Sequence, residues 1–223
     1  YYSVATKCSA DQISEADLNI FATTCVPAEP LPYIEDFESW VGGDKVQEPL
    51  CWTGNWVTYL GSYYPNIYNY SGYAHSGDKS LCLTYYNHDK LNEPGYLALP
   101  PMEESISKLQ MRFYAMVRFG VGDTLYVGVM TDPNDVKTFD TIAAYSFKEK
   151  DVYKEFVLRF EDYQGTGKHI AFMIPQGKVG DIFYIDDIKV DYLSNCEKVQ
   201  NVSARDITTT GADIHWTKGK ATT

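Results

Sequence analysis

FYIDDIKVDY, residues 183–192, is the stretch whose reading decides the fold. Taken as a strand, its side chains alternate between two faces. Asp186 then shares a face with Ile188 and Val190, both core residues by type. A carboxylate among branched aliphatics costs on the order of several kcal/mol unless a cation or hydrogen-bond donors satisfy it. The stretch therefore predicts a buried strand with something positive or donating beside Asp186, and by the same alternation it turns Asp187 to solvent. A second acidic stretch, YIEDFESW at 33–40, is the place to look for the rest of such a site.

Outward from 183–192 the chain is a series of strand-sized blocks separated by Gly, Asn, Asp and Pro. SLCLTYY (80–86), GYLALP (95–100), KLQMRFYAMVR (108–118), TLYVGVMTD (124–132), TFDTIAAYSF (138–147), YKEFVLRF (153–160) and KHIAFMIP (168–175) all fit. Many short strands with regular turn signals predict an all-β, antiparallel sandwich. The 19 Tyr and 10 Phe residues favour strands over helices. SADQISEADL at 9–18 reads as a turn and is the one candidate helix. PAEPLP at 27–32 reads as a linker.

The 223 residues suffice for one large β domain or one domain plus pieces, and beginning at Tyr1 the chain reads as a fragment of something longer. A net charge of −11 argues against nucleic acid as a partner, because phosphate binding needs clustered Lys and Arg. No run of 18 apolar residues is present to insert into a membrane as a helix. The cysteines, at 8, 25, 51, 82 and 196, form no CxxC pair, which argues against zinc. Their wide spacing points to an oxidising compartment. Cys82, between Leu81 and Leu83, reads as a small buried residue.

Three groups of residues are candidate sites. The first is for calcium: Asp36 and Glu38, two apart on a strand face, Asp186 from the last strand, and the HSGDKSL turn with carbonyls near Gly77 and Lys79 and the side chain of Asp78. Ca²⁺ takes six to eight oxygens from such mixtures of carboxylates and carbonyls. The alternative is that these acids are solvated or capped by backbone donors. The second is an aromatic-rich segment from Trp52 to Tyr73, in which Trp56, Tyr63, Tyr64 and Tyr70 are the candidate ligand-binding residues. Exposed Trp and Tyr form platforms for sugar rings or protein hot spots, and packing of the loop on its own aromatics is the alternative. The third consists of short modification patterns, Asn69-Tyr70-Ser71 and Asn201-Val202-Ser203. The four histidines are scattered, no GxSxG or HExxH is present, and Glu103–Glu104 reads as a solvated pair, so no enzyme is predicted.

The ends have a different rhythm. NCEKVQNVSARDITTTGADIHWTKG at 195–219 resembles the first two strands of a fibronectin type III domain, with Trp216 at the packing position. YYSVATKC…NIFATTC at the other end resembles the last two strands of such a domain. Between them, residues 30–194 resemble the MAM-like cleaved-adhesin jelly-roll domains of Bacteroidetes surface proteins, including the adhesin regions of gingipains. The residues that carry this are LPYIEDFESW, EPLCW (48–52), AHSGDKSL (74–81), LYVGVMTDPNDVKTF (125–139), GKHIAFMI (167–174) and FYIDDIKV. The resemblance implies a jelly-roll sandwich at 30–194, flanked by partial modules at 1–29 and 195–223. It also implies secretion or cell-surface display, a structural calcium, a disulfide between Cys25 and Cys51, and a core position for Trp52, which follows Cys51 in the family motif. Asp123-Thr124-Leu125 and Asp140-Thr141-Ile142 resemble the O-glycosylation signal of that bacterial group. The implied function is non-catalytic adhesion to a glycan or a host protein, with neighbouring modules of the parent chain as further partners. The alternatives are a ligand-free spacer and an accessory module of a secreted peptidase or glycosidase.

Overall fold

A computed structural model describes residues 25, 28–40, 51–55, 65–84, 94–120, 122–175, 182–194 and 202–217 in full. It also gives the backbone course of short strands at Tyr2–Val4, Lys7–Ser9, Gln12–Ile13, Asp17–Asn19, Val57–Tyr59 and Ser62–Tyr64, and of the start of Gln200–Arg205.

Two antiparallel sheets face each other as a β-sandwich. The strands are β1 Tyr33–Glu35, β2 Thr53–Gly54, β3 Asn66–Asn69, β4 Lys79–Thr84, β5 Gly95–Ala98, β6 Leu109–Val117, β7 Thr124–Met130, β8 Phe139–Ser146, β9 Lys154–Arg159, β10 His169–Ile174 and β11 Ile182–Tyr192. The first sheet runs β9-β6-β11-β4-β3, and β1 also pairs with β11. At 11 residues, β11 is long enough to hold two partners on one edge: β4 along Ile182–Ile185 and β1 along Ile188–Val190. First and last strands of the sandwich thus lie side by side. The second sheet runs β8-β7-β10-β5-β2.

Alternation sorts the side chains. On β6, Leu109, Met111, Phe113, Ala115 and Val117 point into the sandwich, while Gln110, Arg112 and Tyr114 point out. Phe113 stacks on Phe156 of its own sheet at 5.2 Å and meets Phe172 of the opposite sheet edge-on at 5.2 Å. Each such ring contributes about 1.5–3 kcal/mol on full burial.

The 183–192 stretch departs from strict alternation. Arg112 pairs with Lys189, but Tyr114 pairs with Asp186, so β11 carries one extra residue. This is a β-bulge, and Asp187 sits in it at φ +48°. The bulge switches the inward parity: Phe183 and Ile185 face the core before it, Ile188 and Val190 after it. Asp186 therefore does not share a face with Ile188 and Val190. It lies on the outer face of the sheet with Tyr184, fully buried there because the chain folds over it.

That outer face has its own small apolar layer. Cys82, Met116 and Tyr184 are buried beneath Tyr73, Tyr153 and Ile182. The outer face of the second sheet is also covered, by the loop after β7. Val136 and Phe139 pack on Tyr96, Ala98, Met130 and Ala171, and Tyr96 Oη donates to Pro133 O at 3.0 Å. Gly128 admits this close cover, since a Cβ there would meet the Phe139 ring and Asp140 O.

At the N-terminal end, Tyr2–Val4 pairs with Asp17–Asn19 and Lys7–Ser9 with Gln12–Ile13. Within the candidate helix at 9–18, the described backbone at Ser9, Gln12–Ile13 and Asp17–Leu18 is strand. Its apolar residues Ile13 and Leu18 are five apart, which gives no helical stripe. At the other end, Gln200–Arg205 pairs with Asp213–Thr217, and Val202, Ile214 and Trp216 are exposed. Trp216 does not enter a core, because a two-stranded hairpin has no second sheet to cover it.

Candidate functional site

The turn at 75–79 is held at both ends by carboxylates. Asp186 Oδ2 accepts the backbone N–H of His75 at 2.8 Å and of Ser76 at 3.1 Å, and its Oδ1 accepts the N–H of Asp187 at 2.7 Å. Glu38 Oε1 accepts the N–H of Asp78 at 2.9 Å and of Lys79 at 2.7 Å. Gly77, between these two anchors, has φ +59°, and a Cβ on it would overlap the Glu38 carboxylate. Only glycine combines that backbone angle with that approach. Lys79 Nζ donates to Glu38 O and Trp40 O, both at 2.7 Å, and ties the 38–40 segment to the start of β4.

Desolvation pushes the Asp186 carboxyl up to about 6, while the N–H groups of Ser76, His75 and Asp187 pull it back toward the ionised form. Glu35 is raised for the same first reason, burial, and its Oε1 accepts the Phe37 N–H at 2.6 Å. Asp187 is not turned to solvent. Its Oδ2 lies 2.6 Å from His75 Nδ1 and its Oδ1 accepts the Ser76 hydroxyl at 2.8 Å. The His75 ring is stacked on Tyr114 at 3.6 Å.

Of the predicted metal residues, Glu38 and Asp186 are brought to one turn with Gly77, Asp78 and Lys79, in a different arrangement from the one expected. Asp36 and Glu38 do not share a strand face, because β1 ends at Glu35 and Phe37 adopts φ +59°. Instead Asp36 Oδ1 accepts the Glu38 N–H at 3.1 Å. Asp186 and Glu38 grip opposite ends of the turn through its amides. Lys79 contributes an N–H and an ammonium. Among the described residues no three His, Cys, Asp or Glu side chains gather as a metal-holding group. Backbone donors cap the buried Asp186 and the partly exposed Glu38.

Cys25 and Cys51 are joined by a disulfide. It fixes the segment entering β1 to the start of β2, beside Trp52, which is buried and donates from Nε1 to Tyr33 Oη at 3.0 Å. Cys82 is buried without a disulfide partner, and burial holds its thiol up at about 12. The side chains of Cys8 and Cys196 lie outside the described residues.

Of the predicted aromatic platform, Tyr70 is described, while the side chains of Trp56, Tyr63 and Tyr64 lie outside the described residues. Tyr70 is 54% exposed and meets Tyr73 edge-on at 4.9 Å. Tyr73 stacks on Tyr184 at 4.7 Å, and Tyr68 lies against both. The aromatics therefore form two layers: Tyr184 and Tyr73 beneath, Tyr68 and Tyr70 at the surface. The Tyr73 carbonyl is clamped by the Tyr153 hydroxyl at 2.6 Å and the Ser80 hydroxyl at 2.8 Å.

Sequence reasoning missed three contributors. Arg118 places its guanidinium carbon 4.4 Å from the Tyr73 ring centroid and 5.2 Å from that of Phe119, and donates from Nη1 to Asp151 Oδ1 at 3.2 Å. Phe119 is 60% exposed. Arg118 and Phe119 belong to the turn after β6 and Asp151 to the one before β9. Nothing in their local sequence links them to Tyr73.

No protein-family model and no curated protein matches the chain. Solved structures do. The K2 cleaved adhesin domain of Lys-gingipain aligns with a TM-score of 0.52 at 17% identity, over 73% of this chain and 99% of that one. The K1 cleaved adhesin domain of Lys-gingipain from Porphyromonas gingivalis W83 aligns with a TM-score of 0.52 at 13% identity, over 73% and 98%. At these identities the likeness establishes a shared sandwich fold.

Proposed function

We propose that the chain is a non-catalytic extracellular binding module. The sandwich at 30–194 is the binding domain, and residues 1–29 and 195–223 are parts of adjoining fibronectin type III-like modules. The observation that carries this is the aromatic surface at Tyr68 and Tyr70, which rests on Tyr73. Large rings stand exposed on a sheet whose own packing is already complete beneath them. The Cys25–Cys51 bond supports an oxidising compartment. The alignment length supports the domain division, since about three-quarters of the chain accounts for nearly all of an adhesin domain.

The test is binding of the immobilised chain to an array of glycans and extracellular proteins. Tyr70→Ala should abolish capture while leaving the melting temperature in place. Capture that Tyr70→Ala leaves intact removes the platform from the function, and no capture at all makes the chain a spacer.

A structural calcium belongs to the same reading. Glu38 and Asp186 bond to the 75–79 turn, and Asp36 bonds to the backbone of Glu38. Glu38 Oε1 and Asp186 Oδ2 each accept two amides and Asp186 Oδ1 accepts one, which leaves Glu38 Oε2 and one lone pair of Asp186 Oδ1, with turn carbonyls and water, for an ion. A melting temperature that rises with free calcium and falls with chelator supports the ion; one indifferent to both means the amides hold the turn unaided.

A further inference from the structure

We propose that Phe119, Tyr70 and the Arg118–Asp151 pair form a subsite for an uncharged hexose oligosaccharide. The proposal rests on the binding-module reading and names the ligand class that its aromatic surface takes.

Three observations favour a sugar over other occupants. The first is size. Tyr68, Tyr70 and Phe119 are 37%, 54% and 60% exposed. With a fully buried aromatic covering roughly 150–250 Å², the rings offer on the order of 300 Å² together. A stable protein interface needs about 800 Å² per partner, so the patch is too small for a second copy of this chain. It matches the face of one or two sugar rings.

The second is chemistry. Pyranose rings present C–H faces that lie on aromatic rings and rims of hydroxyls that need planar donors and acceptors. Tyr70 and Phe119 each lie one contact away from the Tyr73–Arg118 pair and supply the faces. The Arg118 guanidinium and Asp151 carboxylate supply the rim. Both are partly exposed and joined by one bond, so the pair has further donors and acceptors to offer. Exposed Asn69 and Ser71 flank Tyr70.

The third is charge. Asp151 neutralises Arg118, and the chain as a whole carries −11. The net negative charge of the chain sets a repulsive field against an anionic glycan.

The backbone holds the subsite ready. Arg118 N donates to Ile182 O at 2.9 Å and Asp151 N to Val117 O at 2.9 Å, which fixes both turns to the sheet. Little ordering is then left to pay on binding.

Calorimetric titration with cellohexaose, mannohexaose, laminarihexaose and, as the charged control, a galacturonate hexamer tests this. At least one neutral hexamer should bind, and Phe119→Ala and Tyr70→Ala should each weaken it tenfold or more with unchanged melting temperature. Asp151→Asn, which keeps the shape and removes the charge, should also weaken it. Neutral binding untouched by Phe119→Ala and Asp151→Asn overturns the subsite and leaves the module reading standing. So does binding of the galacturonate alone, or loss of an array protein, but of no sugar, on Tyr70→Ala. If neither sugars nor array proteins bind, both readings fall.

Discussion

Replacing Asp186 with Asn isolates the one buried carboxyl on which the 75–79 turn depends. In the fold its carboxyl titrates near 6 against an ordinary value of 3.8. The folded state thus holds the proton over a range in which the unfolded chain has released it. Stability from this group is present in full below about pH 4 and is lost as pH rises through about 6. The shift of about two units at roughly 1.36 kcal/mol each makes the loss about 3 kcal/mol. For a domain of this size that is a fall of about 6–12 °C in melting temperature between pH 4 and pH 7.5.

The Asn variant has no such titration. It keeps one acceptor oxygen for His75 and Ser76 and sets an NH₂ group against the Asp187 N–H, which at low pH makes it less stable than the wild type by about 1–3 kcal/mol. The gap should then narrow, or reverse, as pH rises. Other acids cancel in the comparison, including Glu35, which is raised, and Glu104, Glu161 and Asp191 at the surface, which their Lys and Arg neighbours lower. The assay is thermal unfolding of both proteins from pH 4 to 8 in chelator. Parallel curves would refute the assignment of a raised, buried carboxyl. Curves that diverge in chelator and become parallel in calcium would show a bound cation compensating the charge.

Gly77→Ala should destabilise by about 1–3 kcal/mol, because the new Cβ meets the Glu38 carboxylate at a backbone angle only glycine adopts freely; a shift below 2 °C would show that the turn can move away. Reducing Cys25–Cys51, or replacing both with Ser, opens a loop closed over a sequence separation of 26 and should lower stability by about 3–4 kcal/mol on the chain-entropy account, read as a fall in denaturant midpoint. Lys79→Met keeps the aliphatic stem and deletes two charged hydrogen bonds to Glu38 O and Trp40 O, at about 1.5–3 kcal/mol each; faster amide exchange around 38–40 should accompany the loss.

The sandwich could be read from its sequence because both sheets obey the period of two almost everywhere. Leu109, Met111, Phe113, Ala115 and Val117 on β6 announce their face without help from any other part of the chain. The resemblance carried by EPLCW implies a core Trp52, and Trp52 is buried. The candidate site was less legible, for two physical reasons. Arg118 and Phe119 join the aromatic patch only because β6 ends beside Tyr73, 45 positions earlier, and a pairing across a sheet leaves no mark in the local sequence of a turn. The bulge at Asp187 is different, since its mark was present. The inward residues of β11 are spaced two, three, two: 183 to 185, 185 to 188, 188 to 190. A strict strand would place an apolar residue at 187. The interval of three is what one inserted residue produces, and it turns Asp186 from an improbable core acid into an outer-face anchor for the turn above it. The aspartate pair concealed this because either parity leaves an acid in the middle of the strand, and Tyr184, buried on the outer face, makes that face look apolar too. The position of Asp186 follows from the spacing of its aliphatic neighbours, and the chemistry of the carboxylate alone pointed to the wrong side of the sheet.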